Sequence, residues 1–229
     1  MSRKILIFAP HADDETLGCG GIIAKNTFLG NQVKVVVVTG AGGEKHKHFS
    51  NELFLTVQNE FKKAMAVLSV NDYEFLNFPS TMLDIVGRLE LNIAIDKITR
   101  KFQPSDIYVP FAGDMHNDHR MVCEAVAVAT RPYLNYVNMI ENIYAYETLS
   151  ETHLKYPSLG ASFLPNVHEN VSDFFKLKLK ALSKYPSQLQ SKNQPRTLDA
   201  IENLAKMRGD HIGVKYAEAF VLLGTYRRD

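Results

Sequence analysis

Ile5-Leu6-Ile7-Phe8-Ala9 and Val33-Lys34-Val35-Val36-Val37-Val38 are short, almost unbroken apolar runs rich in branched residues. The first is closed by Pro10-His11 and the second by Thr39-Gly40. A strand with one wet face alternates apolar and polar residues, whereas an unbroken run is buried on both faces. The two runs therefore predict parallel strands covered by helices. Between them, Leu17 to Leu29 carries Ile22, Ile23, Ala24 and Phe28 at helix-compatible spacing, and Gly30-Asn31 supplies the stop. Strand, helix and strand form a βαβ unit, for which a right-handed crossover is expected.

The pattern repeats down the chain: a helix over about 51–69, a strand Tyr73-Glu74-Phe75-Leu76, a helix over about 87–102, a strand Asp106-Ile107-Tyr108-Val109, a helix over about 118–130 and a strand Ile143-Tyr144-Ala145-Tyr146. Such alternation predicts an α/β fold with an open, mostly parallel sheet covered on both faces. The last third is less regular, with a helix over about 172–184, a polar loop over about 186–197, a helix over about 198–208 and a closing segment Ala219-Phe220-Val221-Leu222-Leu223. No internal repeat or linker divides the 229 residues, of which 45% are hydrophobic, so one domain spanning 1–229 is expected.

Charge and composition exclude several classes. Lys and Arg total 26 against 25 for Asp and Glu, which leaves no broad basic surface for a phosphate backbone, so nucleic acid is not expected as a partner. No apolar stretch approaches the roughly 20 residues of a membrane span. The run after Met1-Ser2-Arg3-Lys4 is too short for an export signal. Two cysteines, Cys19 and Cys123, read as core thiols, and a cytoplasmic location follows as the expectation. Homo-oligomerisation is left open.

In open α/β sheets ligands bind beyond the carboxyl ends of the strands. Two polar clusters fall there: His11-Ala12-Asp13-Asp14-Glu15 after the first strand, and Asp114-Met115-His116-Asn117-Asp118-His119 after the strand ending at Val109-Pro110. A hydrolytic zinc site needs three His, Asp or Glu ligands and an open position for water. His11, Asp14 and His119 can supply that set. A further carboxylate must accept a proton from the attacking water, and Asp13 is adjacent. His116 is available to stabilise an oxyanion as imidazolium or to protonate a leaving amine, and Asp118 to orient or charge one of these rings. Against this, Asp118 is also a fit for the N-cap of the following helix, and Asp13-Asp14-Glu15 for an acidic first helical turn. Lys45-His46-Lys47-His48 suits either a solvated loop or a contact to a phosphorylated sugar.

Pro10-His11-Ala12-Asp13-Asp14-Glu15, continuing through Leu17-Gly18-Cys19-Gly20-Gly21, resembles the HPDDE signature of the LmbE/PIG-L deacetylases, and His116-Asn117-Asp118-His119 resembles their HxDH signature. The resemblance extends to Thr39-Gly40, Lys180-Ala181-Leu182 and Tyr216-Ala217-Glu218-Ala219-Phe220. It implies a Rossmann-like three-layer fold and Zn2+-dependent removal of an N-acetyl group from a small-molecule amino sugar or sugar conjugate. It also implies His11, Asp14 and His119 as metal ligands, Asp13 as general base, and His116 as electrostatic catalyst supported by Asp118. Two positions depart from the pattern. Ala12 stands where Pro is usual, and Val57-Gln58-Asn59-Glu60 stands where Arg-x-x-Glu is common. The missing guanidinium makes Arg196, in the polar loop, the candidate substrate contact. The rival readings are a metal-dependent phosphoesterase and a sugar-binding member of the fold without turnover.

Overall fold

The computed structural model describes residues 2–41, His46 and 49–228. The first strand, β1 (Lys4–Ala9), leads into α1 (Asp14–Phe28), β2 (Gln32–Ala41), α2 (Asn51–Val67) and β3 (Asp72–Pro79). There follow α3 (Arg88–Phe102), β4 (Asp106–Pro110), α4 (Asn117–Ala129), β5 (Asn142–Tyr146) and a single-turn α5 (Leu149–Thr152). The chain closes with β6 (Val167–Asn170), α6 (Phe175–Leu182), α7 (Leu198–Asp210) and β7 (Ala217–Thr225).

Among the described residues seven strands form one sheet in the order β3-β2-β1-β4-β5-β7-β6. The first five are parallel, with Ile5 opposite Val33 on one side and Asp106 on the other. The expected closing segment is β7, which runs antiparallel to β5, and β6 adds antiparallel to β7. Because successive side chains alternate across a strand, the unbroken runs feed both layers. Ile5, Ile7, Val33, Val35 and Val37 pack with Phe61 and Met65 of α2 and Phe175 of α6. Leu6, Phe8, Val36 and Val38 pack with Leu91 and Ile95 of α3 and Val122 and Val126 of α4. Cys19 and Cys123 are buried free thiols, one in each layer.

Two details differ from the sequence expectation. The helix expected over about 172–184 covers only Phe175–Leu182, and β6 was not anticipated. Val167-His168-Glu169-Asn170 is a short edge strand, and such a polar tetrapeptide carries no period that distinguishes it from a loop.

Small residues on α1 let this helix sit close to the C-terminal third. A side chain at Gly18 would overlap the ring of Tyr146, and one at Gly21 would lie 2.8 Å from Cβ of Val171. The approach lets Glu218 of β7 accept the backbone N–H groups of Gly21 and Ile22, each at 2.8 Å, while Lys178 pairs with the same carboxylate at 2.6 Å. The middle of α1 is thereby held against β7.

Candidate metal centre

Strand order reverses direction about β1 and β4, which lie side by side with chain continuing outward to β2 and β5. The crevice at their carboxyl ends receives both polar clusters, as the topological rule predicts. His11 and Asp14 follow β1, and His116, Asp118 and His119 follow β4.

One ligand atom each from His11, Asp14 and His119 lies within 4.8 Å of the others. Asp14 Oδ2 is the shared point, 3.1 Å from His11 Nδ1 and 3.2 Å from His119 Nε2. Each imidazole is held from behind by a second carboxylate. Asp118 Oδ2 lies 3.1 Å from His11 Nε2, and Asp114 Oδ2 lies 2.7 Å from His119 Nδ1. This is the arrangement that fixes the tautomer and rotation of a metal-ligating histidine. Among the described residues His119 Nε2 is buried without a hydrogen-bond partner, because its approach to Asp14 lacks hydrogen-bond geometry. Metal bonds of about 2.0–2.1 Å in tetrahedral array put neighbouring ligand atoms about 3.3 Å apart, close to both measured separations. The residues present therefore fit a small divalent ion with nitrogen and oxygen ligands. A second group, His11, His116 and Asp118, also converges. There, however, Asp118 already accepts the N–H groups of Thr81 at 2.8 Å and Leu83 at 3.2 Å.

The charges reinforce one another. Burial opposes protonation of both rings, yet Asp118 and Asp14 raise His11 to about 9, and Asp14 and Asp114 raise His119 to about 10. Burial would lift Asp14, but the charge of the closely approaching His119 and the hydrogen bond from His11 hold it well below the usual carboxylate range.

Asp13 sits beside this group but is not part of it. It is the residue before α1, with φ 147° and ψ −28°, and its side chain makes no capping bond. A non-glycine residue held there stores strain of roughly 1–3 kcal/mol. Its carboxylate faces the cavity 3.3 Å from an Arg196 guanidinium nitrogen. Burial and the neighbouring Asp14 push its pKa well above the usual value, with Arg196 pulling the other way. Arg196 thus reaches the site, and the polar loop that carries it is tied down. Ser187 donates its N–H to Glu60 of α2 at 3.2 Å, and the Arg196 N–H reaches Gln190 Oε1 at 3.0 Å.

Two expectations need correction. The N-cap of α4 is His116, whose Nδ1 accepts the Asp118 N–H at 3.1 Å, so Asp118 lies inside the first turn and is not the cap. The Asp118 carboxylate does hydrogen-bond one of the rings it was expected to orient, that of His11, while it meets His116 through its backbone N–H. An imidazolium at His116 is disfavoured as well. Its Nδ1 is occupied as an acceptor, and burial followed by the charge of His11 lowers its pKa. The neutral ring then carries its proton on Nε2, toward the cavity that it lines. The acidic first turn expected over 13–15 is real for Asp14 and Glu15 and coexists with the cluster.

Other site residues were not singled out from sequence. Asp114 lies in the second motif, but its spacing of five from His119 matches no helical pairing. Glu15 lies in the first motif, but nothing local marks it as a positioning group, and Thr81 and Ser150 gave no local signal. Of the Lys45-His46-Lys47-His48 stretch, only His46 lies within the described residues. It is buried, 3.3 Å from the Thr81 hydroxyl, so its ring is not a solvated loop tip. A cavity of about 330 Å³ opens over the cluster, with Val57 and Gln58 of α2, Ser150 and Glu151 of α5, and Gln188 and Arg196 in its walls.

Comparison with known proteins agrees with this geometry. The GlcNAc-PI de-N-acetylase (PIG-L) family matches residues 6–130. The uncharacterized deacetylase YaiS of Escherichia coli (strain K12) is 32% identical over 198 residues, which cover 81% of this chain and 91% of that protein. The diacetylchitobiose deacetylase of Thermococcus kodakarensis is 28% identical over 227 residues, covering 94% of this chain and 81% of that one. Among solved structures, N,N'-diacetylchitobiose deacetylase from Pyrococcus horikoshii aligns with a TM-score of 0.76 at 28% identity, over 97% of this chain and 84% of that chain. With a family match across more than half its length and the paired motifs converging on one crevice, the chain belongs to the PIG-L (LmbE-like) family of deacetylases.

Proposed function

We propose that this protein is a zinc-dependent N-deacetylase acting on an N-acetylglucosamine-type sugar or sugar conjugate, with the activity carried by one domain spanning 1–229. The observation that supports it most is the division of labour among the carboxylates. Asp14 lies between two imidazoles whose far nitrogens are each held by another acid, while Asp13 stays apart from them and faces the cavity. His11, Asp14 and His119 would hold the ion, and such a set of nitrogen and oxygen donors with room for water suits zinc. When bound, such an ion polarises an amide carbonyl and acidifies water.

The protein's own groups do the rest. Asp13 accepts a proton from the attacking water. Its burial makes it a stronger base than an exposed carboxylate, and able to return that proton to the leaving nitrogen. His116 donates Nε2–H to the developing oxyanion, and its neutral state makes it a hydrogen-bond donor there without full charge. Asp118 and Asp114 keep His11 and His119 in register. Arg196 contacts the substrate and limits how far the pKa of Asp13 rises. The deacetylase names of the relatives at 28–32% identity support this choice of reaction, and the diacetylchitobiose substrate named for one of them supports the sugar class.

Acetate release from N-acetylated amino sugars, measured with metal content by elemental analysis, tests the reading. Expected is one zinc per chain and stoichiometric acetate and free amine. Phosphate release from sugar phosphates in place of acetate would move the protein to the phosphoesterases, and metal or sugar binding without turnover would make it a binding module.

A further inference from the structure

At the far edge of the sheet two histidines meet, well away from the crevice between β1 and β4. β6 is separated from β4 by β5 and β7, which amounts to about 14 Å at the usual strand spacing. His168 sits in β6 opposite Ala219, and His211 is the C-cap of α7. Nδ1 of His211 lies 3.3 Å from Nε2 of His168, with the ring planes turned 66° apart rather than stacked.

That separation bears on what the pair is for. An N–H group normally sits about 2.7–3.2 Å from an oxygen acceptor, so the contact is long for a hydrogen bond. Two nitrogens bonded to one tetrahedral ion at about 2.0–2.1 Å stand about 3.3 Å apart, which is the distance found. Both rings are carried by fixed backbone. His168 is held by the ladder to β7. Beyond His211 the N–H groups of Ile212 and Val214 both return to the carbonyl of Gly209 at 3.0 Å. A side chain at Gly209 would lie 2.4 Å from the carbonyl oxygen of Val214, so the turn closes tightly around the helix end. Ligands placed on rigid elements need little reorganisation to bind.

The surroundings favour a cation. The carboxyl end of a helix carries partial negative charge, and Asp210 adds an exposed carboxylate beside His211. Arg208, about one turn earlier, is buried and paired with both oxygens of Glu147. Burial, the charge of His211 and that of Arg208 hold the His168 ring below the usual imidazole value, which weakens competition from protons. His168 is half-buried and His211 exposed, so an ion can enter and water can complete its shell.

Imidazole suits zinc, copper and nickel ions. We propose that His168 and His211 form a second divalent-metal site, with two imidazole nitrogens and water as ligands, which takes Zn2+ reversibly and staples the edge strand β6 to the end of α7. When both rings are neutral each keeps its one proton. The hydrogen lying between them moves to the far nitrogen of its own ring, and the two facing lone pairs go to the ion.

The test counts zinc by elemental analysis after equilibrium dialysis of the full chain at pH 7.5 against rising Zn2+. Wild type should hold one tight ion through dialysis into metal-free buffer and take up a second as free zinc rises. Losing a supporting group around a metal costs about 10- to 100-fold in affinity, so losing one of two ligands should cost about tenfold or more. His168→Ala and His211→Ala should each weaken the second ion by that much and leave the first, whereas His119→Ala should lose the first and keep the second. The melting temperature should rise with zinc beyond the first equivalent in wild type and stay level in the His168 and His211 variants. A single ion per chain at every zinc concentration overturns the proposal and leaves the pair a hydrogen bond only. Equal uptake of the second ion by His168→Ala and wild type overturns it as well. So does loss of that ion in His116→Ala but not in His168→Ala, since the ion then lies in the cavity.

Discussion

Glu15 accepts the backbone N–H of Asp13 at 3.1 Å, and this bond holds Asp13 at its positive φ. The same carboxylate accepts the hydroxyls of Thr16 at 2.5 Å and Tyr185 at 2.6 Å. A fully buried acid two residues from the proposed base is thus a positioning device, with three donors converging on it. Burial pushes it up to about 7 despite them. In Glu15→Gln one amide oxygen replaces two carboxylate oxygens, and an NH2 group meets at least one of those donors. We expect kcat to fall about tenfold with KM and metal content little changed, and stability to fall by about 1–3 kcal/mol from the unpaired buried donor. Tyr185→Phe should reproduce the direction more weakly. A kcat equal to wild type in Glu15→Gln would show that Asp13 keeps its backbone without this support.

Asp13→Asn isolates the proton acceptor. The amide keeps the shape and adds no bulk at the helix start, so zinc content and melting temperature should stay near those of the parent. Turnover should fall by about 10² to 10⁴, the usual contribution of a general base. Single-turnover acetate release measures it, and a near-normal rate would move the base to another group.

Metal uptake should compete with protons. His11 at about 9 and His119 at about 10 are protonated at pH 7 in the metal-free site, and both must lose a proton to act as ligands. Affinity should accordingly rise with pH, by up to two decades per unit between about pH 6 and 8, with up to two protons released per ion. Calorimetry in buffers of different ionisation enthalpy counts them. His119→Ala should abolish tight binding, and retention of full occupancy would reassign the ligands.

Much of this was legible in the sequence because it is carried by local rules. Unbroken apolar runs at Ile5 and Val33 identify strands buried on both faces, and the positions of His11, Asp14 and His119 after two such strands follow from the crevice rule. What could not be read depends on contacts between distant segments. Nothing near Glu15 announces Tyr185, 170 residues away. Asp114 reaches His119 through an irregular turn, and Asp118 faces His11 across 107 residues. The antiparallel edge was hidden for a similar reason, since β6 is too short and polar to show a period.

Glu147 is buried against Arg208 and His153. Arg208 donates to both its oxygens, at 2.9 and 2.6 Å, and His153 Nε2 lies 2.6 Å from Oε2. Burial alone would raise Glu147, but His153 and Arg208 outweigh it and lower its pKa. A lowered folded pKa contributes stability above the unfolded value of about 4.3, and that contribution is lost as pH falls through the folded value. Arg208→Met leaves a buried carboxylate with His153 as its remaining partner, so the protein should lose about 3 kcal/mol at pH 7. In that variant the carboxylate takes up a proton more easily, so the deficit should shrink on going from pH 7 to pH 5. Urea denaturation at the two pH values decides it. A deficit that is constant or larger at pH 5 would show that Arg208 acts through packing alone.

Arg196 links the loop at 186–196 to the proposed proton acceptor, since its guanidinium lies 3.3 Å from Asp13 Oδ2, and among the described residues its Nε is buried without a partner. Two consequences of Arg196→Ala should appear together. The positive charge lowers the pKa of Asp13, so its removal raises that pKa further, and the acid limb of the kcat/KM profile should move to higher pH. A base must be unprotonated to work, which sets the sign: activity lost at low pH in the wild type is lost at a higher pH in the variant. The contact that Nε would make with substrate is lost as well, which should raise KM or lower kcat about tenfold on the true substrate, roughly 1.4 kcal/mol. Arg196→Lys separates the two effects, because it can keep a charge near Asp13 without the fork geometry. Its acid limb should stay near that of wild type while most of the tenfold loss remains. A pH profile unmoved in both variants would mean that the Arg196 contact to Asp13 is not made in the working enzyme, and unchanged kinetics as well would make residues 186–196 ordinary surface.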